Sequence, residues 1–267
     1  MLIQRQGDEL LVVRQTDHMA QVARIAEQWG NADFPPPAHR EETIRAAALH
    51  DNGWREWEEH PTVVPATGRP RNLGEVEPEV HAAFYRLGVE RAVALDPYAG
   101  LLVSLHASVL YAGVEDWDLE SLMPPPRPDL APVQQAFIAG QTHLQRVLRT
   151  DLAASPRFGR AVEPDQLWPA YLRLRAWDRL SLYFVYHGMG EWLLDHVPWI
   201  HGEVPIALQQ TGERAAVANP WPFSRDHVVF PVLVSRVPDR VYETGGDFLH
   251  ELVHATPELW HFTLSTP

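Results

Sequence analysis

The chain opens with two short runs in which polar and apolar residues alternate, LIQRQ and ELLVVR, meeting at Gly7-Asp8. Side chains of a strand point to opposite faces in turn, so this pattern predicts a β-hairpin. The spacing then changes to three and four. Val22, Ile25 and Trp29 share one stripe, which predicts a helix over 17–29 with Thr16 as N-cap and Gly30 just past its end. Three consecutive prolines in NADFPPPAHR cannot continue a helix, so a loop follows. Helical spacing resumes in EETIRAAALHDN and stops at Asn52-Gly53. Further helices are predicted at 78–94 and 97–111, where Pro78 and Pro97 suit first helical positions and Asp96 suits an N-cap. Residues 112–131 are acidic and then proline-rich, as expected of a surface excursion or lid, with 124–132 the segment that could close over a site. Helices at 132–151 and 165–187 come next, with Pro169 in the first turn of the second. From about residue 198, PIALQQ, RAAVAN, HVVFPVLVSRV and LWHFTLS read as short strands, with one short helix near 246–255.

This order predicts a mainly α protein. A helical body over 16–190 would carry a small antiparallel sheet, formed by the N-terminal hairpin (1–14) and the C-terminal strands (198–267). A chain that starts and ends in one sheet closes on itself, so residues 1–267 are expected to form a single domain.

Five of the helical segments each place a metal-type ligand on an apolar face: His18, the pair His50-Asp51, His81, His106 and Asp178. His18 shares the stripe of Val22 and Ile25. His81 has Phe84, Tyr85 and Val89 on its face, and His106 stands among Leu102, Val103, Val109 and Leu110. Asp178 lies between Leu174 and Leu182, one helical turn away on either side, while Arg175 and Arg179 are expected on other faces. Imidazole and carboxylate on buried faces are costly unless something positive meets them. A single such residue is an ordinary hydrogen-bonded core group. Six in this order point to a metal site.

Composition narrows the chemistry. There is no Cys, which removes thiolate metal sites, disulfides and Cys nucleophiles. The net charge is −13, and every one of the 22 basic residues is Arg. A chain this acidic is not expected to take nucleic acid or an anionic membrane as its partner. It can still hold a small anionic substrate in a local group of Arg. No apolar run is long enough to span a membrane and no signal peptide is evident, so a cytoplasmic protein is expected. Phosphate-binding glycine loops, GxSxG, HExxH and CxxC patterns are all missing. Nothing in the sequence speaks to oligomeric state.

The ligand order H…HD…H…H…D resembles the HD-domain superfamily, an all-helical fold named for its His and Asp metal ligands. The resemblance covers roughly residues 16–190. It implies an HD-domain-like helical bundle and two divalent metal ions (Fe, Mn or Zn). His18, His50, Asp51 and Asp178 would hold one ion, and His81 and His106 the second. Asp51 would bridge the pair and be the catalytic carboxylate. Two departures stand out: Trp54 occupies the place of the Lys found in some dinuclear relatives, and no GYP triplet follows. The strings QTDHMAQVA, LHDNGWREW and NPWPF also resemble an uncharacterised bacterial family of unknown function, along the whole chain.

A carboxylate-bridged metal pair suits hydrolysis of a small phosphoester or nucleotide. Arg55, Arg69 and Arg71 follow the His50-Asp51 pair and are the candidate substrate contacts. The same ligands filled with iron would suit a di-iron oxygenase cleaving a small polar substrate. A third expectation is a non-catalytic metal-binding or interaction protein.

Overall fold

Alternation in the last third of the chain builds far more sheet than expected. The computed structural model describes residues 1–267, and seven of its strands join in one sheet. Strands β1 (Leu2–Gln6) and β2 (Glu9–Val13) form the N-terminal hairpin; β3 (Val63–Val64) and β4 (Arg69–Pro70) pair separately. The other five are β5 (Glu191–Trp199), β6 (Gly202–Gly212), β7 (Ala215–Asn219), β8 (His227–Pro238) and β9 (Glu258–Ser265). Their order across the large sheet is β1-β2-β8-β9-β7-β6-β5. All neighbours are antiparallel except β7 and β9, which run parallel from Ala215–Thr263 to Val217–Ser265.

The sheet is therefore mixed and curls into a half-barrel, with 45% of the chain helical and 24% in strands. This overturns the expected mainly α, HD-domain-like bundle with a small antiparallel layer. Two physical causes hid the sheet. Strand β5 carries Asp195, His196 and Pro198, and a register shift between Leu194 and Val197 breaks its alternation. The β7–β9 pairing joins residues far apart in the chain, which no local period reports.

Eight helices complete the fold: α1 (Gln15–Gln28), α2 (Arg40–Ala47), α3 (Arg55–Glu59), α4 (Pro78–Leu95), α5 (Pro97–Ala112), α6 (Pro132–Ala153), α7 (Pro164–Val185) and α8 (Gly245–His254). Asp96 caps α5 as expected, accepting from the backbone N–H of Tyr98 and Ala99 at 3.0 Å each. Thr16 does not cap α1; Arg14 holds that place, without a side-chain bond. Because α7 begins at Pro164, Pro169 lies beyond its first turn.

One face of the sheet carries α1 and α7, while Leu10, Val12 and Val237 form a second, smaller core with Trp54, Trp57 and Phe248 and Leu252 of α8. Val228, Phe230, Val232 and Val234 of β8 and Phe262 and Leu264 of β9 share a core with Val22 and Ile25 of α1 and Leu180 and Phe184 of α7. Helix α1 lies against β8 and α7, while α7 lies against β5. Helix α5 is buried on nearly every side, which is why its sequence shows no polar face. Residues 112–131 pack down onto this body through buried Trp117 and Leu122, and Arg127 donates to the Tyr111 carbonyl at 2.6 Å. No helix is long and apolar enough to cross a membrane.

Candidate metal centre

Packing of α1 on α7 brings His18 against Asp178 and Ser181. His18 Nε2 lies 2.9 Å from Asp178 Oδ1, and its Nδ1 lies 2.8 Å from Ser181 Oγ. The single hydroxyl proton of Ser181 goes to Gln21 Oε1 at 2.6 Å, so Ser181 Oγ accepts from His18. Gln21 then donates to the Phe230 carbonyl of β8 at 3.4 Å. This chain of bonds puts the proton on Nδ1 and aims the Nε2 lone pair at the carboxylate, the usual way a protein prepares a ligating imidazole.

His50 is prepared the same way. It sits with Asp51 in the turn that follows α2, and its Nδ1–H donates to the Ala47 carbonyl at 2.8 Å. Its Nε2 is buried with no hydrogen-bond partner, 3.6 Å from Asp51 Oδ2 and 3.5 Å from Asp178 Oδ1. The turn is clamped onto α4. Asn52 donates to the Gly88 carbonyl at 2.9 Å, and a Cβ on Gly53 would stand 1.9 Å from the Phe84 carbonyl oxygen. Gly53 thus allows close approach of two backbones.

Asp51 turns its Oδ1 to the Tyr85 hydroxyl, which donates at 2.6 Å. His106 Nε2 is 3.9 Å from the same oxygen, and its ring meets that of His50 at 4.9 Å, nearly perpendicular. Two sets, His18–His50–Asp51 and His50–His106–Asp178, each hold their ligand atoms within 4.8 Å of one another. They share His50, whose one free nitrogen is Nε2, so five residues converge on one locus. None of the five is more than 7% exposed. This buried His/Asp group could hold a metal ion.

The electrostatics of the cluster couple its imidazoles to its carboxylates. Burial opposes charge on His50, yet Asp51 and Asp178 raise its pKa to about 9. Burial likewise works against the Asp178 carboxylate, but the adjacent His18 and His50 rings hold it well below the usual range. His106 is lowered to about 4 by burial and then by positive His50. Two carboxylates facing three imidazoles with no thiolate form a donor set that suits Fe, Mn or Zn. The partnerless, buried Nε2 of His50 is the observation that such an ion explains. Removing the Ser181 hydroxyl tests the supporting bonds: Ser181→Ala should lower metal affinity about 10- to 100-fold, the range for such outer partners, as measured by chelator competition.

His81 stands outside both sets. Its Nδ1 is 2.5 Å from the Tyr111 hydroxyl, and its ring lies 4.8 Å from that of Tyr85. The three candidate substrate arginines also lie elsewhere. Arg55 is exposed at the start of α3, Arg69 pairs with Asp239 at 3.5 Å, and Arg71 pairs with Glu77 at 2.6 Å.

A cleft of about 390 Å³ opens on the cluster instead between α5, α7 and β5; His106 and Asp178 line it together with Arg175, Arg179, His187 and Trp192. Arg175 and Arg179 share one carboxylate, Asp195, at 2.7 Å and 3.1 Å. Arg179 also lies 5.1 Å from the centre of the Trp192 ring, and its buried Nε has no acceptor. The sequence reading sent both arginines to other faces of α7. At three residues before and one after Asp178 they flank it, and their long stems carry the guanidinium groups round to the cleft.

Residues 1–239 match a family described as Protein of unknown function (DUF3891). The chain belongs to that family. No curated protein and no solved structure matches it. The DUF3891 match takes in all five clustered ligands as well as Arg175, Arg179 and Asp195, and leaves only α8 and β9 beyond its end. The likeness to HD domains rests on the ligand order alone, since the mixed half-barrel sheet is foreign to an all-helical bundle.

Proposed function

We propose that this DUF3891 protein is a metal-dependent hydrolase of small anionic substrates, phosphoesters foremost, with His18, His50, Asp51, His106 and Asp178 holding the metal. The observation that carries the reading is the buried, partnerless His50 Nε2 between two carboxylates, one of which, Asp178, lines a cleft walled by two arginines. A divalent ion bound there supplies a water of lowered pKa and charge stabilisation for a substrate oxygen.

The chain's own residues do the rest. Hydrogen bonds to Ser181 and the Ala47 carbonyl hold His18 and His50 in the orientation that ligation needs. Arg175 and Arg179 share one carboxylate, Asp195, and keep guanidinium donors for a substrate anion in the cleft. Trp192, Val109 and Leu182 give that cleft apolar walls that exclude water. His187 lines it as well; burial and Arg179 lower its pKa, which suits it to accept a proton from an attacking water.

A single ion is the stoichiometry the packing favours. The second ion of the HD-type resemblance, on His81 and His106 with Asp51 bridging, finds less support, since His81 belongs to neither ligand group and the Tyr85 hydroxyl bonds Asp51 Oδ1.

The reading is tested by turnover of chromogenic aryl phosphate mono- and diesters with Mn, Zn or Fe. Arg179→Gln should reduce kcat/KM about 10- to 100-fold, mainly through KM, as expected for loss of a charge-assisted hydrogen bond. Metal-dependent turnover that is indifferent to Arg179 would sink the assignment of the cleft.

A further inference from the structure

A second cavity, of about 420 Å³, lies between the proline loop, the first half of α7 and the β5–β6 hairpin. Its walls are Pro35, Pro36, Pro37, Tyr98, Trp199 and Arg173. Arg173 is 9% exposed and forms no ion pair; one Nη donates to the Pro169 carbonyl at 3.1 Å, and its Nε has no acceptor. The indole N–H of Trp199 finds no acceptor either. A buried guanidinium without a carboxylate is rare because its desolvation goes uncompensated. Burial has moved Arg173 down to about 10, in the direction that this cost predicts.

The site is distinct from the metal cleft. Arg173 and Asp178 are five residues apart on α7, about 140° around the helix at 3.6 residues per turn. The nearest carboxylate lining the cavity, Asp165, is already engaged by Arg160 at 2.6 Å. One unpaired positive charge, one spent negative charge and walls of proline and indole match a ligand with one negative charge on an apolar body. A phosphate dianion does not match, because Arg173 offers it a single cation.

We infer that this cavity is a binding site for a small organic monocarboxylate, whose carboxylate pairs with Arg173 while its apolar body lies against Trp199 and the three prolines. Arg173 supplies a charged donor to a carboxylate, and the cavity is of the size that holds a small molecule. The inference uses none of the metal ligands.

The test is calorimetric titration of the full-length protein with benzoate, with benzamide as its neutral isostere, and with inorganic phosphate. Benzoate should bind wild-type protein at least about tenfold more tightly than either comparator, the loss expected when a charge-assisted hydrogen bond goes. Arg173→Met should lose benzoate binding by a similar factor, whereas Arg179→Gln in the metal cleft should leave it intact. In the absence of ligand, Arg173→Met should melt at or above the wild-type temperature, because an uncompensated buried charge has been removed. Should Arg173→Met fail to fold, the wild-type comparison of benzoate with benzamide decides alone. Equal binding of the two, stronger binding of phosphate, no benzoate binding at millimolar concentration, or binding lost in Arg179→Gln would each overturn the site.

Discussion

Asp178→Asn is expected to lose the bound metal, and all turnover with it, while remaining folded. Asp178 Oδ1 lies 2.9 Å from His18 Nε2 and 3.5 Å from His50 Nε2, so its carboxylate is the anion on which two imidazoles converge. An outer partner of a metal ligand is worth about 10- to 100-fold in affinity, and a direct ligand should exceed the upper figure. Asn keeps the shape and can still bond His18, and His50 can shed its proton once one of the two carboxylates that raise its pKa is gone, so the fold should tolerate it. Metal content by elemental analysis, paired with a thermal melt, separates the two effects. Full metal loading in Asp178→Asn would exclude this residue from the centre. An unfolded variant would make it a structural ion-pair partner instead.

Gly53→Ala is expected to destabilise the fold strongly, at the turn that carries two of the clustered residues. An added Cβ would lie 1.9 Å from the Phe84 carbonyl oxygen, 2.6 Å from its carbon and 3.2 Å from the Gly88 nitrogen. All three are backbone atoms, so no side chain can swing aside. The turn that carries His50 and Asp51 must lift off α4, and Tyr85 must leave Asp51. Overpacking of a core costs typically 1–3 kcal/mol and occasionally more, and about 3 kcal/mol or above is expected here. That corresponds to a fall of roughly 6–12 °C in Tm for a chain of this size. Gly74 is the control: nothing stands within 4 Å of its added Cβ, and Gly74→Ala should stay within about 0.5 kcal/mol of wild type. A Gly53→Ala protein that melts with wild type would show that the turn and α4 are not in the contact described.

These two positions also mark how far the sequence could be read. Asp178, His18 and His106 stood out because each is polar inside an apolar stripe, and the structure brings all three together with His50 and Asp51. Gly53 pointed to a turn, but its close contact depends on α4, some thirty residues away. Tyr85 reads as an ordinary core aromatic, and only the fold turns its hydroxyl to Asp51. Arg175 and Arg179 were excluded by counting helix faces at the Cβ, whereas a guanidinium acts several ångströms beyond it. The sheet was underestimated for a different reason. A strand with a bulge, such as β5, loses its period of two, and a parallel pairing such as β7 with β9 has no local signature. Arg173 gave no signal at all, because an arginine without a partner can be recognised only when its neighbours are known.

The measurement that bears most directly on the central claim is elemental analysis of the purified, untagged protein beside its Asp178→Asn variant. The metal centre predicts about one Fe, Mn or Zn per wild-type chain and loss of that metal in the variant, since ligand identity and count set what a site holds. Iron would direct attention from hydrolysis to dioxygen chemistry without moving the site. A wild-type protein that takes up no metal, even after reconstitution under reducing conditions, would contradict the centre and the hydrolase built upon it.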